Sequence, residues 1–151
     1  MINRYTITLA AIIGFIAWVK TKDFQDVLEY SRTKASAERG AMLDYYVGWA
    51  YYNRSDYANC AGAFTQLLKR SPTGYYAPKG LLRYGACQQE LRRFDRAREA
   101  YVIYKKWFPE GPDFKTIERK YEAIKFRNGE GTTYELQEIY RSEEHTSELQ
   151  S

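Results

Sequence analysis

The chain has 151 residues, a length that fits one ordinary domain with a buried core and leaves little room for a second. Aromatic residues make up 17% of it, 15 of them tyrosines, against four prolines; so many rings offset the entropy of ordering the chain, which excludes disorder. The formal net charge is +4, the only histidine is His145, and Cys60 and Cys87 lie 27 residues apart with no C-x-x-C or Cys/His spacing, so neither a zinc site nor a thioredoxin-like site has support.

The first element is the uncharged run from Tyr5 to Val19 (YTITLAAIIGFIAWV), with Arg4 before it and Lys20 and Lys22 after it. A spanning helix needs about 20 apolar residues and the apolar part of a signal peptide about 7 to 15, so its length suits a signal. Ala17-Trp18-Val19-Lys20 offers no small-residue cleavage site, which makes an uncleaved anchor over residues 1–20 the expectation, with membrane contact through residues 5–19. A buried repeat helix stays open as the other reading, because Gly14 lies 34 residues before Gly48. Residues 21–40 read as a connecting helix, with Phe24, Val27, Leu28 and Ser31 on one face, and the second helix of a degenerate first repeat is the alternative for them.

Residues 41–74 (AMLDYYVGWAYYNRSDYANCAGAFTQLLKRSPTG) and 75–111 carry two near-copies of one pattern. In the first, Gly48 is followed by Tyr51, the turn Ser55-Asp56-Tyr57, Cys60, Phe64 and Pro72. In the second, Gly85, Phe94, Ala97, Tyr101 and Pro109 fall at the offsets of Gly48, Tyr57, Cys60, Phe64 and Pro72. Gly48 and Cys60 are expected to let two antiparallel helices approach closely while Tyr51 and Phe64 fill the space around them. Asp56 is placed to cap the second helix, Pro72 to end it, and Pro78 to open the next. The second copy departs in having Gln88 for the first aromatic, Arg92-Arg93 for the small turn residues, and three inserted residues at 75–77 that make the spacing 37 rather than 34.

The order of small residue, aromatic, turn, small residue, ring and closing proline resembles the tetratricopeptide-repeat family. The longer linker, from Ser71-Pro72 to Tyr76-Ala77-Pro78, is similar to that of envelope members in Gram-negative bacteria. The resemblance implies an all-α fold, antiparallel helix-turn-helix repeats stacked as a short right-handed solenoid. It also implies a protein or peptide partner held in the concave groove lined by the first helix of each repeat.

By that register the groove positions are Met42, Tyr45, Trp49, Tyr52 and Asn53 in the first copy, and Lys79, Leu82, Ala86, Gln89 and Glu90 in the second. Tyr45, Trp49, Tyr52, Asn53, Lys79, Leu82 and Gln89 are the candidate partner-binding residues, the rings first, since tyrosine and tryptophan give large contact area at low entropic cost. Chaperone-binding members hold a terminal carboxylate with an asparagine and several basic residues. Trp49 stands at the asparagine's place, which argues against such a clamp.

After Pro112, residues 112–140 open with DFKTIERKYEAIKF, whose Phe114, Ile117, Tyr121 and Ile124 form an amphipathic face able to cap the last repeat. Asn128-Gly129-Glu130-Gly131 breaks that helix, and Thr132 to Tyr140 starts a further element. Residues 141–151 (RSEEHTSELQS) resemble a translated sequencing adapter and are read as a non-native tail. Setting aside Arg141 and Glu143, Glu144 and Glu148 leaves 22 basic against 16 acidic residues and removes His145, the one imidazole available as a general base.

Arg83, Arg92, Arg93, Arg96, Arg98, Lys105 and Lys106 form a basic set that reads first as a solvated helix face, relieved by Asp95 and Glu99, and second as a surface for RNA or an anionic membrane. No phosphate-binding, dinucleotide, zinc-protease or nucleophile-elbow motif occurs, so no catalytic residue, cofactor or metal ligand is expected. The sequence therefore reads as a protein–protein adaptor, membrane-tethered or exported to the cell envelope. A soluble, cytoplasmic regulatory arm of a larger protein is the alternative, and nucleic acid is the least favoured partner.

Overall fold

The computed structural model describes residues 40–129 and 135–150, and within them every regular element is a helix. In chain order these are α1 (Ala41–Asn53), α2 (Tyr57–Arg70), α3 (Ala77–Glu90), α4 (Phe94–Trp107), α5 (Phe114–Ile124) and α6 (Glu135–Gln150). Consecutive helices pack as antiparallel neighbours from α1 to α5, and α6 folds back to touch α4 and α2. The apolar run at 5–19 and the helix read within residues 21–40 lie outside the described residues. No described helix is long and apolar enough to cross a membrane.

The two hairpins α1–α2 and α3–α4 are built alike. In the first turn Arg54 N donates to Ala50 O, Ser55 N to Tyr52 O and Asp56 N to Tyr51 O. In the second, 37 residues on, Leu91 N donates to Cys87 O, Arg92 N to Gln89 O and Arg93 N to Gln88 O. Ser55 and Arg92 occupy the same left-handed place, at φ 63° and 59°. The two arginines at Arg92-Arg93 thus do not change the turn, although a left-handed backbone costs an L-residue about 1–2 kcal/mol. Asp56 caps α2 by accepting from Asn59 N at 3.3 Å, whereas Arg93 gives α4 no side-chain cap. Pro78 lies in the first turn of α3, where its missing N–H costs nothing.

Each hairpin closes on a glycine facing a ring. A Cβ on Gly48 would lie 2.7 Å from Cζ of Phe64, and one on Gly85 would lie 2.6 Å from Cζ of Tyr101. Gly80 makes the contact between hairpins, where a Cβ would fall 2.9 Å from Leu67 Cδ2. The core runs continuously through Phe64, Leu67, Leu81, Tyr84, Tyr101 and Tyr104 to Ile117 and Ile124 of α5 and Leu136 and Tyr140 of α6.

Cys60 has a role beyond the one expected of a small buried residue. Its sulfur is bonded to Cys87 of α3, with Cα atoms 6.2 Å apart, so it also joins the two hairpins covalently. Both cysteines are fully buried. Nothing in their spacing announces this, because only the stacking of α2 on α3 brings them together.

Beyond the hairpins, α5 packs on α4 with Ile117 and Ile124 buried and Phe114 and Tyr121 half-buried. Arg98 of α4 donates to Ile124 O at 2.7 Å and to Arg127 O, satisfying carbonyls at the end of α5. α6 is held by Glu99, whose Oε1 accepts from Gln137 N at 2.8 Å, and by Tyr140, whose hydroxyl donates to Pro72 O at 2.8 Å. The tail from Arg141 continues this helix to Gln150, and Lys106 pairs with Glu144.

Candidate functional site

The first helices of the two hairpins, α1 and α3, lie side by side, and the face they share carries a connected series of tyrosines. The rings of Tyr46 and Tyr45 stand 5.4 Å apart, those of Tyr45 and Tyr76 5.6 Å, and those of Tyr76 and Tyr75 5.1 Å. Tyr45 also meets Phe64 at 5.8 Å, so it is anchored in the core rather than standing free. Tyr75 is 75% exposed, and Lys79 Nζ sits 5.2 Å over its ring, a cation–π arrangement that orders an otherwise mobile lysine.

Farther along the same face, the Tyr52 ring meets Tyr57 edge-on at 5.5 Å. Burial, the neighbouring Glu90 carboxylate and Tyr57 push the Tyr52 hydroxyl up from its ordinary range, while Arg83 opposes them. Tyr52 thus lies within the electrostatic reach of both charges on α3. Burial first, then Tyr45, raises Tyr46 as well, with Lys79 pulling the other way.

The candidate residues therefore separate. Tyr45, Tyr52 and Lys79 share one face, and Leu82 is half-buried against the core beneath it. Gln89 accepts a hydrogen bond from the Tyr101 hydroxyl, which fixes its side chain to the hairpin. Asn53 is exposed, but its Nδ2 donates to Trp49 O at 2.8 Å and so closes the end of α1. Trp49 stands apart from the tyrosines, packed with the separate apolar cluster of Val47, Ala50 and Ala63. Tyr75 and Tyr76 have no place in the repeat register, because they fall in the three-residue insertion. The doublet Tyr75-Tyr76, echoing Tyr45-Tyr46, was the signal available.

The basic residues do not form one open stripe. Arg98 pairs with Asp95, Arg96 lies 3.8 Å from Glu135, and Lys105 sits 5.5 Å over the Tyr121 ring. Arg92 and Arg127 both stack on Phe94, at 5.8 and 4.4 Å. Among the described residues no group of three or more His, Cys, Asp or Glu side chains is placed to hold a metal ion.

An all-α repeat of stacked antiparallel hairpins, each closed by a glycine against a ring, is the class that this architecture defines. Residues 43–74, which cover nearly all of the first hairpin, match the tetratricopeptide repeat family. No curated protein and no solved structure matches the chain.

Proposed function

We propose that this chain is a protein–protein interaction adaptor that holds an extended or helical segment of a partner along the α1/α3 face. The observation that carries the reading is a tetratricopeptide repeat over 43–74 followed by a second hairpin with the same turn, the two placing Tyr45, Tyr52, Tyr75, Tyr76 and Lys79 on one face. Clustered tyrosines bring area and hydrogen-bonding tips to such a face with few rotatable bonds to freeze. The test is recovery of partners from an extract of the source cells by the wild-type chain and by a Tyr52→Ala/Tyr75→Ala variant shown to fold. An unchanged set of recovered proteins would overturn the assignment.

We further infer that the adaptor works outside the reducing cytoplasm, at or beyond a membrane. Two observations support this: the apolar run at 5–19, and the bond between Cys60 and Cys87, since structural disulfides persist in oxidising compartments and are rare in the cytosol. Alkylation of the denatured chain immediately after cell lysis tests it. Blocked cysteines support the exported adaptor, and two reactive thiols support the cytoplasmic regulatory arm.

A further inference from the structure

The second helices of the hairpins, together with α6, line a half-open pocket of about 420 Å3 on a different face from the tyrosines. Its floor is a run of alanine and glycine on α2. Its walls bring three cations, Lys69, Arg93 and Arg96, against Glu135 and Glu138 of α6, and Gln88 of α3 lines its inner end. The space has an origin in the repeat pattern. Gln88 stands 37 residues after Tyr51, so an amide occupies the place that a ring fills in the first hairpin.

Gln88 is 1% exposed, and its amide lies against the buried Tyr84 hydroxyl while its Oε1 has no partner of its own; Arg96 Nε is also buried and unpartnered. Unpaired buried polar atoms are rare because each forfeits its hydration without compensation. An unpaired acceptor and an unpaired donor at one cavity are complementary to a group that carries both functions, as a peptide amide does. No aromatic ring lines the cavity, so the stacking surface that a sugar face needs is missing. Arg96 has Glu135 at 3.8 Å, while Lys69, Arg93 and Glu138 have no ion-pair partner among the described residues. Three cations against two carboxylates leave one positive charge in excess, which favours an anion.

We propose that this cavity binds a short acidic peptide segment, its amide set between Gln88 and Arg96 and its carboxylate held by Lys69 and Arg93. The site does not depend on the α1/α3 face and would act as a second contact for a partner. The carboxylate can come from a chain terminus or from an aspartate or glutamate side chain, and the experiment separates the two.

Saturation-transfer NMR on the full chain would compare three probes: N-acetyl-Ala-Ala with a free carboxyl terminus, N-acetyl-Ala-Glu-amide with only a side-chain carboxylate, and the neutral N-acetyl-Ala-Ala-amide. Binding by either carboxylate peptide over the neutral one supports the site, and the better of the two names the source. Lys69→Gln/Arg93→Gln should weaken that binding by about tenfold or more, the loss expected when charge-assisted hydrogen bonds are removed. Gln88→Leu should abolish it in a chain that keeps its helical signal. The double variant, altered at the rim, keeps the test valid should Gln88→Leu fail to fold. Equal binding of the neutral peptide, binding undiminished in the double variant, or no signal from any probe at millimolar concentration, the mark of a cavity holding water alone, overturns the proposal.

Discussion

Two glycines in the same hairpin separate close contact from mere helix content. A Cβ on Gly48 would meet the Phe64 ring at 2.7 Å, whereas one on Gly62 would meet nothing within 4 Å. Alanine for a mid-helix glycine ordinarily stabilises by about 0.5–1 kcal/mol, and overpacking a core costs about 1–3 kcal/mol. Gly62→Ala should therefore raise the urea midpoint and Gly48→Ala lower it; shifts of the same sign would refute the packing described here. Glu99 provides a second test at this scale. It is 6% exposed, and burial pushes its carboxyl up to about 7, against the backbone N–H groups of Gln137 and Leu136 and the charge of Arg96, with Glu135 adding to the rise. Because the folded value lies above the unfolded one, near 4.5, the stability tied to the protonated form is complete below pH 4.5 and is lost as the pH rises to about 7. Glu99→Gln should remove a pH dependence of up to about 3 kcal/mol from that window, read as a flatter plot of unfolding free energy against pH. A slope equal to that of the wild type would show that the carboxyl is not buried as described.

The elements show which parts of the fold the sequence displays and which it conceals. Gly48, Phe64, Gly85 and Tyr101 are legible because a close helix pair needs a small residue opposite a large one, and the need recurs at a fixed offset. The second turn is concealed, since Arg92 and Arg93 carry none of the residue chemistry that usually marks a left-handed backbone. Hydrogen bonds from the flanking helices hold Arg92 at φ 59° regardless. Arg92→Gly should accordingly raise the unfolding free energy by roughly 0.5–1 kcal/mol, less strain but more chain entropy to lose, in a denaturant titration. A destabilised variant would mean that the arginine's contact with Phe94 outweighs its backbone strain. Tyr75 and Tyr76 were hidden for another reason: a register built from repeats has no column for inserted residues, and these two are brought to the α1/α3 face only by the path of the linker.

At the scale of the whole molecule, stacked hairpins contact only their neighbours, so each interface counts separately toward stability. The bond between Cys60 and Cys87 changes that arithmetic by tying the interface of α2 with α3 covalently across 27 residues of sequence. Loop-closure entropy puts its contribution at about 3.5 kcal/mol, so reduction, or Cys60→Ala/Cys87→Ala, should lower the denaturant midpoint by that equivalent without changing the helical signal at low denaturant. An identical midpoint in the presence and absence of reductant would remove the bond from the description. The pairing could not be read from the sequence because spacing alone fixes no partner; it follows from which helices stack, knowledge that exists only once the fold does.

That bond also has a mechanical side. If the chain anchors a partner to a membrane and is pulled through its ends, the peel from either side stops at the sulfurs, and the stretch between them bears no load. Intact, it withholds roughly 90 Å of contour that a severed bond would release, about 3.4 Å for each of the 27 residues.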